Sequence, residues 1–297
     1  MRVNPNPMPD LLAALNQTEL ESQQAGLQIS TGRSVNVPSD NPTAVAQLVE
    51  NNDQAIFTSG YLQSLSAVQG QLSTASSTLS SITTALQQAL SLGVEAAGGT
   101  LSASDQAAIA NQLQGIQSQL VSLANTTYQG HYVFAGTKTS TAPFVVDDTA
   151  PDGSGVNYVG NTDVNEVSIG SGYKLAVNQP GSQLFSAPGN DVFLAINNLI
   201  QAVQTNTGIG TAVNAVSAAN SYLSAQSVFY GNAMDQATSQ TTYLNTAKLQ
   251  IAQQETTLGG ADMAAAATNL SQAQTDSQAA LAAIGKFSQN NLFDYLT

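Results

Sequence analysis

The residues that could carry enzyme chemistry in this chain are few and poorly grouped. His131 is the single histidine of the 297 residues, and there is no cysteine, so thiolate chemistry and disulfides are excluded. Asp163 and Glu166 are close in sequence but have no other sign of a cleft around them. A Ser-His-Asp triad or a histidine-rich metal site is therefore not predicted, and neither is an enzyme.

Two motifs resemble binding loops only faintly. The segment from Asp147 to Gly153 resembles a calcium loop, but counted from Asp148 its third position is Ala150 and its twelfth is Val159 instead of Glu. A solvated turn explains it better. Gly208-Ile209-Gly210 is too short for a phosphate loop and follows no strand. No metal and no cofactor are expected.

The charge balance limits the partners that the chain can bind. There are 6 Lys plus Arg against 19 Asp plus Glu, a net charge of -13, and the basic residues are scattered. Nucleic acid and anionic membrane surfaces are thus unlikely partners on electrostatic grounds. Charged residues make up only 8% of the chain, about a third of the usual share. Helical faces of uncharged polar groups can pack against identical neighbours without burying charge, which favours an assembly subunit over a low-charge secreted monomer.

The proline distribution indicates long helices. All nine prolines lie within residues 5–9, 38–42 and 143–188, which leaves 43–142 and 189–297 free of this helix breaker. In the first gap, apolar side chains recur at steps of four and three, a coiled-coil seam roughly 40 Å long. Its members are Tyr61, Leu65, Val68, Leu72, Ala75, Leu79, Ile82, Leu86 and Ala89. Such a seam needs a partner helix along its length.

Further helices are predicted on both sides of the long one. Asp10 caps a helix that opens at Leu11 and ends near Gly32, and residues 35–42 form an extended link. Ser39 or Asp40 starts the long helix, which ends near Gly98. Ser104 opens a third helix, antiparallel to the second. After Asp191 a second rod carries a heptad series, and a last helix starts at Asp262. The heptad series consists of Tyr230, Ala237, Leu244, Ile251 and Leu258.

The pattern changes at Gly130. Short runs rich in β-formers follow, and Gly, Asn and Pro turns separate them. The predicted strands are 131–134, 144–146, 156–159, 164–169 and 173–177. The fold class is therefore mainly α with a small antiparallel β-domain inserted at the tip of a rod of long helices that come from both chain ends. We predict a terminal helical domain (1–42 and 259–297), a middle rod (43–130 and 189–258) and a β-rich outer domain (131–188).

The sequence shows neither a cleavable secretory signal nor a membrane span. Asn4-Pro5-Asn6-Pro7 follows Met1-Arg2 where a signal would have an apolar core, and no run of 18 apolar residues occurs.

Three stretches resemble the bacterial flagellin-like family of axial proteins. QISTGRSVNVPSDNPTAVAQLV (28–49) is similar to its amino-terminal segment, and GADMAAAATNLSQAQTDSQAALAAIGKFSQNNLFDYL (260–296) to its carboxy-terminal helix. GTLSASDQAAIANQLQGIQSQLVSLANTTYQGHYVFAGTKTSTAPF (99–144) most resembles the members found where hook and filament meet. The resemblance covers both helical arms and the entry to the β-domain, and residues 145–258 match mainly in layout.

The resemblance implies an extracellular structural subunit of the flagellum, exported unfolded through the flagellar type III apparatus. Its terminal segments would pair as coiled coils in the inner layer of a tube, with the middle helices outside them and the β-domain facing outward. The implied partners are the hook-side junction protein, flagellin, further copies in a ring or tube, and an export chaperone.

The chain departs from the family pattern at three places. Asn41 replaces the Asp that often precedes Pro42, residues 229–234 lack the usual Arg residues, and residues 4–9 are unusually rich in proline. The first residues are accordingly not expected to join the inner coiled coil as helix.

We therefore predict a non-enzymatic subunit that joins hook to filament. Its assembly face would consist of Leu11, Leu15, Leu20, Leu27, Ile29, Leu270, Leu281, Ile284 and Phe287. Packing within the monomer is the other interpretation of each of these residues. Three alternatives stay open: a minimal filament flagellin, a cytoplasmic signalling coiled coil, and an extracellular enzyme or adhesin that uses residues 131–188. Copy number per flagellum and cellular location would separate the first two, and ligand binding by residues 131–188 alone would support the third.

Overall fold

The structure is a computed structural model that describes residues 8–99, 101–147, 149–150 and 152–289. For 287–289 it describes the backbone only. It divides into two compact units, which we name the terminal unit (within 1–57 and 247–297) and the central unit (Thr58–Thr246). Helices α2 and α6 supply residues to both units. The three-domain division predicted from the sequence stays a prediction.

Helices make up most of the described chain, as predicted. They are α1 (Met8–Thr31), α2 (Pro42–Ala97), α3 (Ala103–Ala124), α4 (Gly181–Leu184), α5 (Val192–Thr205), α6 (Ile209–Gly259) and α7 (Met263–Gln289). The strands are β1 (Thr127–Tyr128), β2 (His131–Tyr132), β3 (Phe144–Val146), β4 (Val156–Tyr158), β5 (Glu166–Gly170) and β6 (Tyr173–Ala176). The predicted fold class, mainly α with a small antiparallel β region, is confirmed.

Several helix starts differ from the predicted ones by a few residues. Helix α1 already includes Met8 and Pro9, because proline is tolerated in a first helical turn where no N–H partner is needed. Helix α3 is capped by Ser102, not Ser104: its hydroxyl accepts the N–H of Asp105, whose carboxylate accepts the N–H of Ser102. Asp191 caps α5 as predicted, and its Oδ1 accepts the N–H of Leu194 at 2.8 Å.

The predicted seam of α2 forms the core of the central unit. From Leu65 to Ala89 every member is buried, together with Leu113 and Leu120 of α3. Helix α6 adds the buried members Tyr230, Ala237 and Leu244 of its heptad series. Because each fully buried leucine stabilises a fold by about 1.5–3 kcal/mol, this core is the main source of stability of the central unit.

The β region consists of three separate two-stranded antiparallel sheets, β1–β2, β3–β4 and β5–β6. The predicted run 131–134 is wrong in part: only His131 and Tyr132 are strand, while Val133 and Phe134 are buried without strand pairing. The predicted strand over 164–169 begins instead at Glu166 and extends to Gly170, and strand β1 was not predicted. Turns in this region leave runs of two to five residues, too short to pair into one continuous sheet.

Asparagine side chains make the connections that a continuous sheet would have made. Asn125, at the end of α3, donates to the carbonyl of Phe144 at 2.7 Å and accepts its N–H at 2.9 Å. Asn178 accepts the N–H of Asn165 at 2.6 Å, and both side chains donate to the carbonyl of Gly136. These amides satisfy backbone groups that have no strand partner.

An aromatic cluster fills the space between the hairpins and helix α5. Phe144 lies within 5.6 Å, centroid to centroid, of Phe185, Phe193 and Tyr158. Gly181 is packed so closely on this cluster that an added Cβ would lie 2.7 Å from the ring of Phe144. The β region is thus fixed by packing onto helices and not by its own short ladders.

We predict that Asn125→Ala lowers the free energy of unfolding of the central unit by about 1–3 kcal/mol, because it orphans both backbone groups of Phe144. Urea unfolding followed by tyrosine fluorescence measures this, since every tyrosine except Tyr295 lies in the central unit. The exposed Asn111→Ala on the same helix is the control and should change stability by less than about 0.5 kcal/mol. Equal stability of the two variants would contradict the role given to Asn125.

We predict that Asp191→Asn stabilises the central unit at neutral pH, whereas Asp191→Ala destabilises it by about 1 kcal/mol through loss of the cap. Burial, with a smaller contribution from the charge of Asp152, raises the pKa of Asp191 above its ordinary value. A carboxyl whose pKa is higher in the folded state makes stability fall as pH rises from the unfolded pKa through the folded one. Asparagine keeps the capping oxygen and removes that loss.

Urea titrations of the three proteins between pH 3 and pH 8 test this. The difference between Asp191→Asn and the parent should widen as pH rises and then level off. A constant difference over that range would contradict the role of the buried charge.

Candidate functional site

The terminal unit is organised around a crossing of two backbone segments. The N–H of Ser34 donates to the carbonyl of Gly259 at 2.8 Å, and that of Ala261 to the carbonyl of Gly32 at 3.0 Å. Arg33 and Gly260 form the antiparallel bridge between these bonds. Gly32, at φ +69°, takes a left-handed conformation that ends α1. Because the end of α1 and the start of α7 meet here and the two helices pack together, they run antiparallel.

The contact between α1 and α7 has the spacing of a coiled coil. On both helices, buried and half-buried positions recur in steps of three and four. On α1 they are Met8, Leu11, Leu15, Thr18, Ser22, Ala25 and Ile29, and on α7 Ala266, Leu270, Ala273, Ser277, Ala280 and Ile284. Ala25, Ala266 and Ala273 are buried and the others are half-buried. We name these positions the seam. The helices α1 and α7 thus provide each other with a partner within the chain.

The predicted assembly residues fall on two different faces. Leu11, Leu15, Ile29, Leu270 and Ile284 lie in the seam, half-buried. The side chain of Phe287 lies outside the described residues. The remaining predicted residues, Leu20, Leu27 and Leu281, are exposed. The structure therefore brings the first group together inside the chain and leaves the second group facing solvent.

The exposed leucines belong to a set that we name the outer stripe: Leu12, Leu20, Leu27, Met263 and Leu281, each between 47% and 60% exposed. At about 100° per residue, its three α1 members span an arc of roughly 80°, on the side away from the seam. Met263 and Leu281 are 18 residues apart, about five full turns, and so share one face of α7, which borders the seam. Sequence reasoning missed Leu12 and Met263, although their angular positions could have revealed them. Exposed apolar rows of this kind mark interaction surfaces.

The link between α1 and α2 is a folded turn and not the extended segment that the prolines predicted. The Asp40 carboxylate accepts the N–H groups of Asn36 and Val37 at 2.9 and 3.0 Å. These two bonds, that to Val37 first, hold the pKa of Asp40 below its ordinary value. Asn41 is the residue that caps α2, since its Oδ1 accepts the N–H of Ala44 at 3.0 Å. Asn41 stands where the family often has Asp. It thus keeps the capping oxygen and removes only the negative charge.

The described residues contain no group of three or more His, Cys, Asp or Glu side chains placed to hold a metal ion. His131 is exposed, and its Nδ1 lies 3.3 Å from the Thr139 hydroxyl. None of the helices in the described ranges combines the length and hydropathy needed to cross a bilayer. The outer stripe is the feature of α1 and α7 on which we base a function.

The two faces can be separated by a matched pair of substitutions on α7. We predict that Leu270→Gln, in the seam, raises amide hydrogen exchange in both α1 and α7, because the two helices stabilise each other through these contacts. Leu281→Gln, on the outer stripe, should leave the exchange of the monomer unchanged. Hydrogen-exchange mass spectrometry of the two monomers is the measurement. A similar response to both substitutions would contradict the division into two faces.

Comparison with known proteins identifies the family. A model of the bacterial flagellin N-terminal helical region matches residues 7–139, and a model of the bacterial flagellin C-terminal helical region matches residues 206–296. Together the two regions take in well over half of the chain, and they include α1, α7 and the outer stripe.

Two curated relatives are both named Flagellar hook-associated protein 3. The Salmonella typhimurium protein is 36% identical over 177 residues, which cover 59% of this chain and 54% of the relative. The Escherichia coli K12 protein is 31% identical over 208 residues, which cover 65% of this chain and 63% of the relative. The chain thus spans less than two thirds of the length of either relative.

A solved structure shows the same fold. That of the flagellar hook associated protein-3 from Legionella pneumophila superposes with a TM-score of 0.62 at 13% identity, over 72% of this chain and 98% of that one. The flagellin-like resemblance read from the sequence is confirmed by these comparisons. The chain belongs to the bacterial flagellin family.

Proposed function

We propose that this chain is a non-enzymatic structural subunit of the bacterial flagellum that joins the hook to the filament. Its terminal helices α1 and α7 would pack with those of neighbouring axial subunits. The observation that carries this proposal is the outer stripe, an apolar surface on a helical pair whose seam is already occupied. Both curated relatives carry a hook-associated name, which supports the choice of the junction.

The composition of the helical pair suits contact with many neighbours. Helix α1 carries three charged residues, Asp10, Glu19 and Glu21, and α7 carries two, Asp276 and Lys286. A neighbouring helix can therefore cover the outer stripe while few charges lose their water, which would otherwise oppose association. The side chains of the stripe are already about half covered, so full burial of each adds roughly 1 kcal/mol.

The layer order of the assembled tube is part of the proposal. The terminal residues (1–42 and 259–297) form the inner layer, the long helices (43–130 and 189–258) the middle layer, and residues 131–188 the outer surface. The partners are the hook-side junction protein, flagellin and further copies of this chain in a ring or tube. An adaptor of this kind joins two tubes by presenting one set of helices to both.

The route to the cell exterior is also proposed. The chain would be exported without a cleavable signal peptide through the flagellar type III apparatus, with a chaperone covering its terminal helices beforehand. The outer stripe gives a physical reason for such a chaperone, since exposed leucines would otherwise promote premature association.

A minimal filament flagellin is the second candidate, and the match to flagellin at both terminal regions favours it. Copy number separates the two. A few copies per flagellum support the junction role, and thousands support a filament. Quantitative mass spectrometry of sheared flagella, with the hook protein as the internal standard, gives that number.

We predict that Leu281→Asp combined with Ile284→Asp prevents incorporation into flagella and leaves the central unit folded, because a carboxylate at 281 would be buried without a partner in a subunit contact and one at 284 would disrupt the seam. Leu20→Asp combined with Leu281→Asp, both on the outer stripe, should do the same without disturbing the seam. The matched control is Leu20→Met with Leu281→Met, which keeps the volume and the apolar character.

The measurement is complementation of a strain that lacks the gene. Electron microscopy should show hooks without filaments for the Asp variants, with flagellin released into the medium, and normal flagella for the Met variant. Circular dichroism of the purified variants verifies that they fold. Normal flagella in the stripe variant would refute the assignment of this face.

A further inference from the structure

The terminal unit contains a groove that the seam and the outer stripe do not use. It has a volume of about 540 Å³ and lies where the link after α1 meets the start of α2. Six of its ten lining residues are apolar, and two opposite charges and two asparagines complete the lining. The apolar residues are Val35, Val37, Pro38, Val45, Leu48 and Val49, and the polar ones are Arg33, Asn36, Asn52 and Glu255.

Arg33 gives the groove its specific chemistry. The single ion pair formed by the described residues joins Lys174 to Glu166, in the central unit, so the guanidinium of Arg33 has no carboxylate of a described residue within 4.0 Å. Glu255 borders the same groove beyond that distance. A planar guanidinium beside an apolar wall fits a carboxylate that is flanked by apolar groups, because the fork of N–H donors matches the two carboxylate oxygens.

One segment of this chain has that chemistry. Residues 292–296 read Leu-Phe-Asp-Tyr-Leu, in which Asp294 stands between two aromatic residues and two leucines. No other acidic residue of the sequence has an aromatic residue on both sides. These residues lie beyond the described part of α7. The sequence therefore offers one acidic-aromatic segment to a groove that is lined by six apolar residues and by Arg33, which forms no ion pair with a described carboxylate.

The segment cannot reach the groove of its own chain. Helix α7 starts beside the crossing at Arg33 and Gly260 and continues to Gln289, about 40 Å away at 1.5 Å per residue. The four residues from Gln289 to Phe293 can return at most about 14 Å when fully extended. Phe293 thus stays roughly 25 Å or more from Arg33 of the same molecule, and only a second copy can supply the segment.

We propose that the groove at Arg33 binds residues 292–296 of a neighbouring copy of this chain, with Asp294 paired to Arg33 and the flanking aromatic and leucine side chains on the apolar wall. The proposal rests on the proposed function, since it makes the groove a specific contact between assembled subunits. It also assigns a direction to the contact: the end of one subunit's α7 meets the start of the next subunit's α7.

Disulfide trapping tests the contact, because the natural chain has no cysteine and each engineered one is unique. A tagged full-length chain with Val37→Cys is mixed with an untagged chain with Leu296→Cys under mild oxidation. We expect a disulfide-linked heterodimer. Gln24→Cys, exposed on α1, replaces Val37→Cys as the position control and should give much less product.

Charge reversal tests the pairing itself. Arg33→Glu in the tagged chain should lower the heterodimer yield about threefold, as expected for an exposed ion pair. Asp294→Arg in the untagged partner should then restore it. Phe293→Asp should lower the yield roughly tenfold or more, because the apolar contact is lost. Circular dichroism of each variant verifies that the chains keep their helices.

Three results would overturn the proposal: equal trapping at Val37 and Gln24, a yield that Arg33→Glu leaves unchanged, or an intramolecular disulfide in a chain carrying both cysteines. Complementation of the gene-deletion strain shows whether a failed trapping experiment contradicts only the groove contact or also the proposed function. If trapping fails while the stripe variants still block filament growth, only the groove contact is wrong. If the stripe variants also form normal flagella, the junction role itself is wrong.

Discussion

The structure depends on a limit of helix packing: one partner helix can cover only one stripe of another helix. Helix α1 has apolar side chains on two separate stripes. Leu11, Leu15 and Ile29 face α7, and Leu20 and Leu27 do not. The pairing of α1 with α7 therefore leaves apolar surface exposed, and folding within one chain cannot remove it. Assembly with further helices is the physical consequence.

The two units differ in how completely they bury their apolar groups. The central unit buries whole leucines, phenylalanines and Tyr230, and burial raises the pKa of that phenol well above its ordinary value. In the seam of the terminal unit only alanines are buried, and the leucines are half-buried. Stability within the chain is thus concentrated in the central unit. The terminal unit has surface left to bury, which suits a part of the molecule that gains its full stability from neighbours.

The periodic elements were predictable because their signal is local. The steps of four and three from Leu65 to Ala89 identified the buried side of α2. The seven-residue spacing from Tyr230 to Leu244 did the same for α6. Helix caps were missed by a few residues, as at Ser102, because several Ser and Asp residues near each start have the same capping ability.

The sequence could not show that Leu15 and Leu20 belong to different faces, since a heptad pattern does not tell how many partners a helix has. The asparagine connections, such as that from Asn125 to Phe144, join residues 19 positions apart and leave no local pattern.

Low charge and few cations have separate consequences for association. Neutral helical faces let apolar area determine affinity, because little charge must be desolvated when neighbours meet. The same neutrality makes such faces poor at selecting one register or direction over another, since a one-turn slip changes few interactions. Sparse charges beside apolar surface can supply that selection, because opposite charges fix register more than they add affinity. Arg33 lies where α1 ends and α7 begins, so a carboxylate bound there would fix the axial position of a neighbouring subunit, while the leucines of the outer stripe would hold it in place.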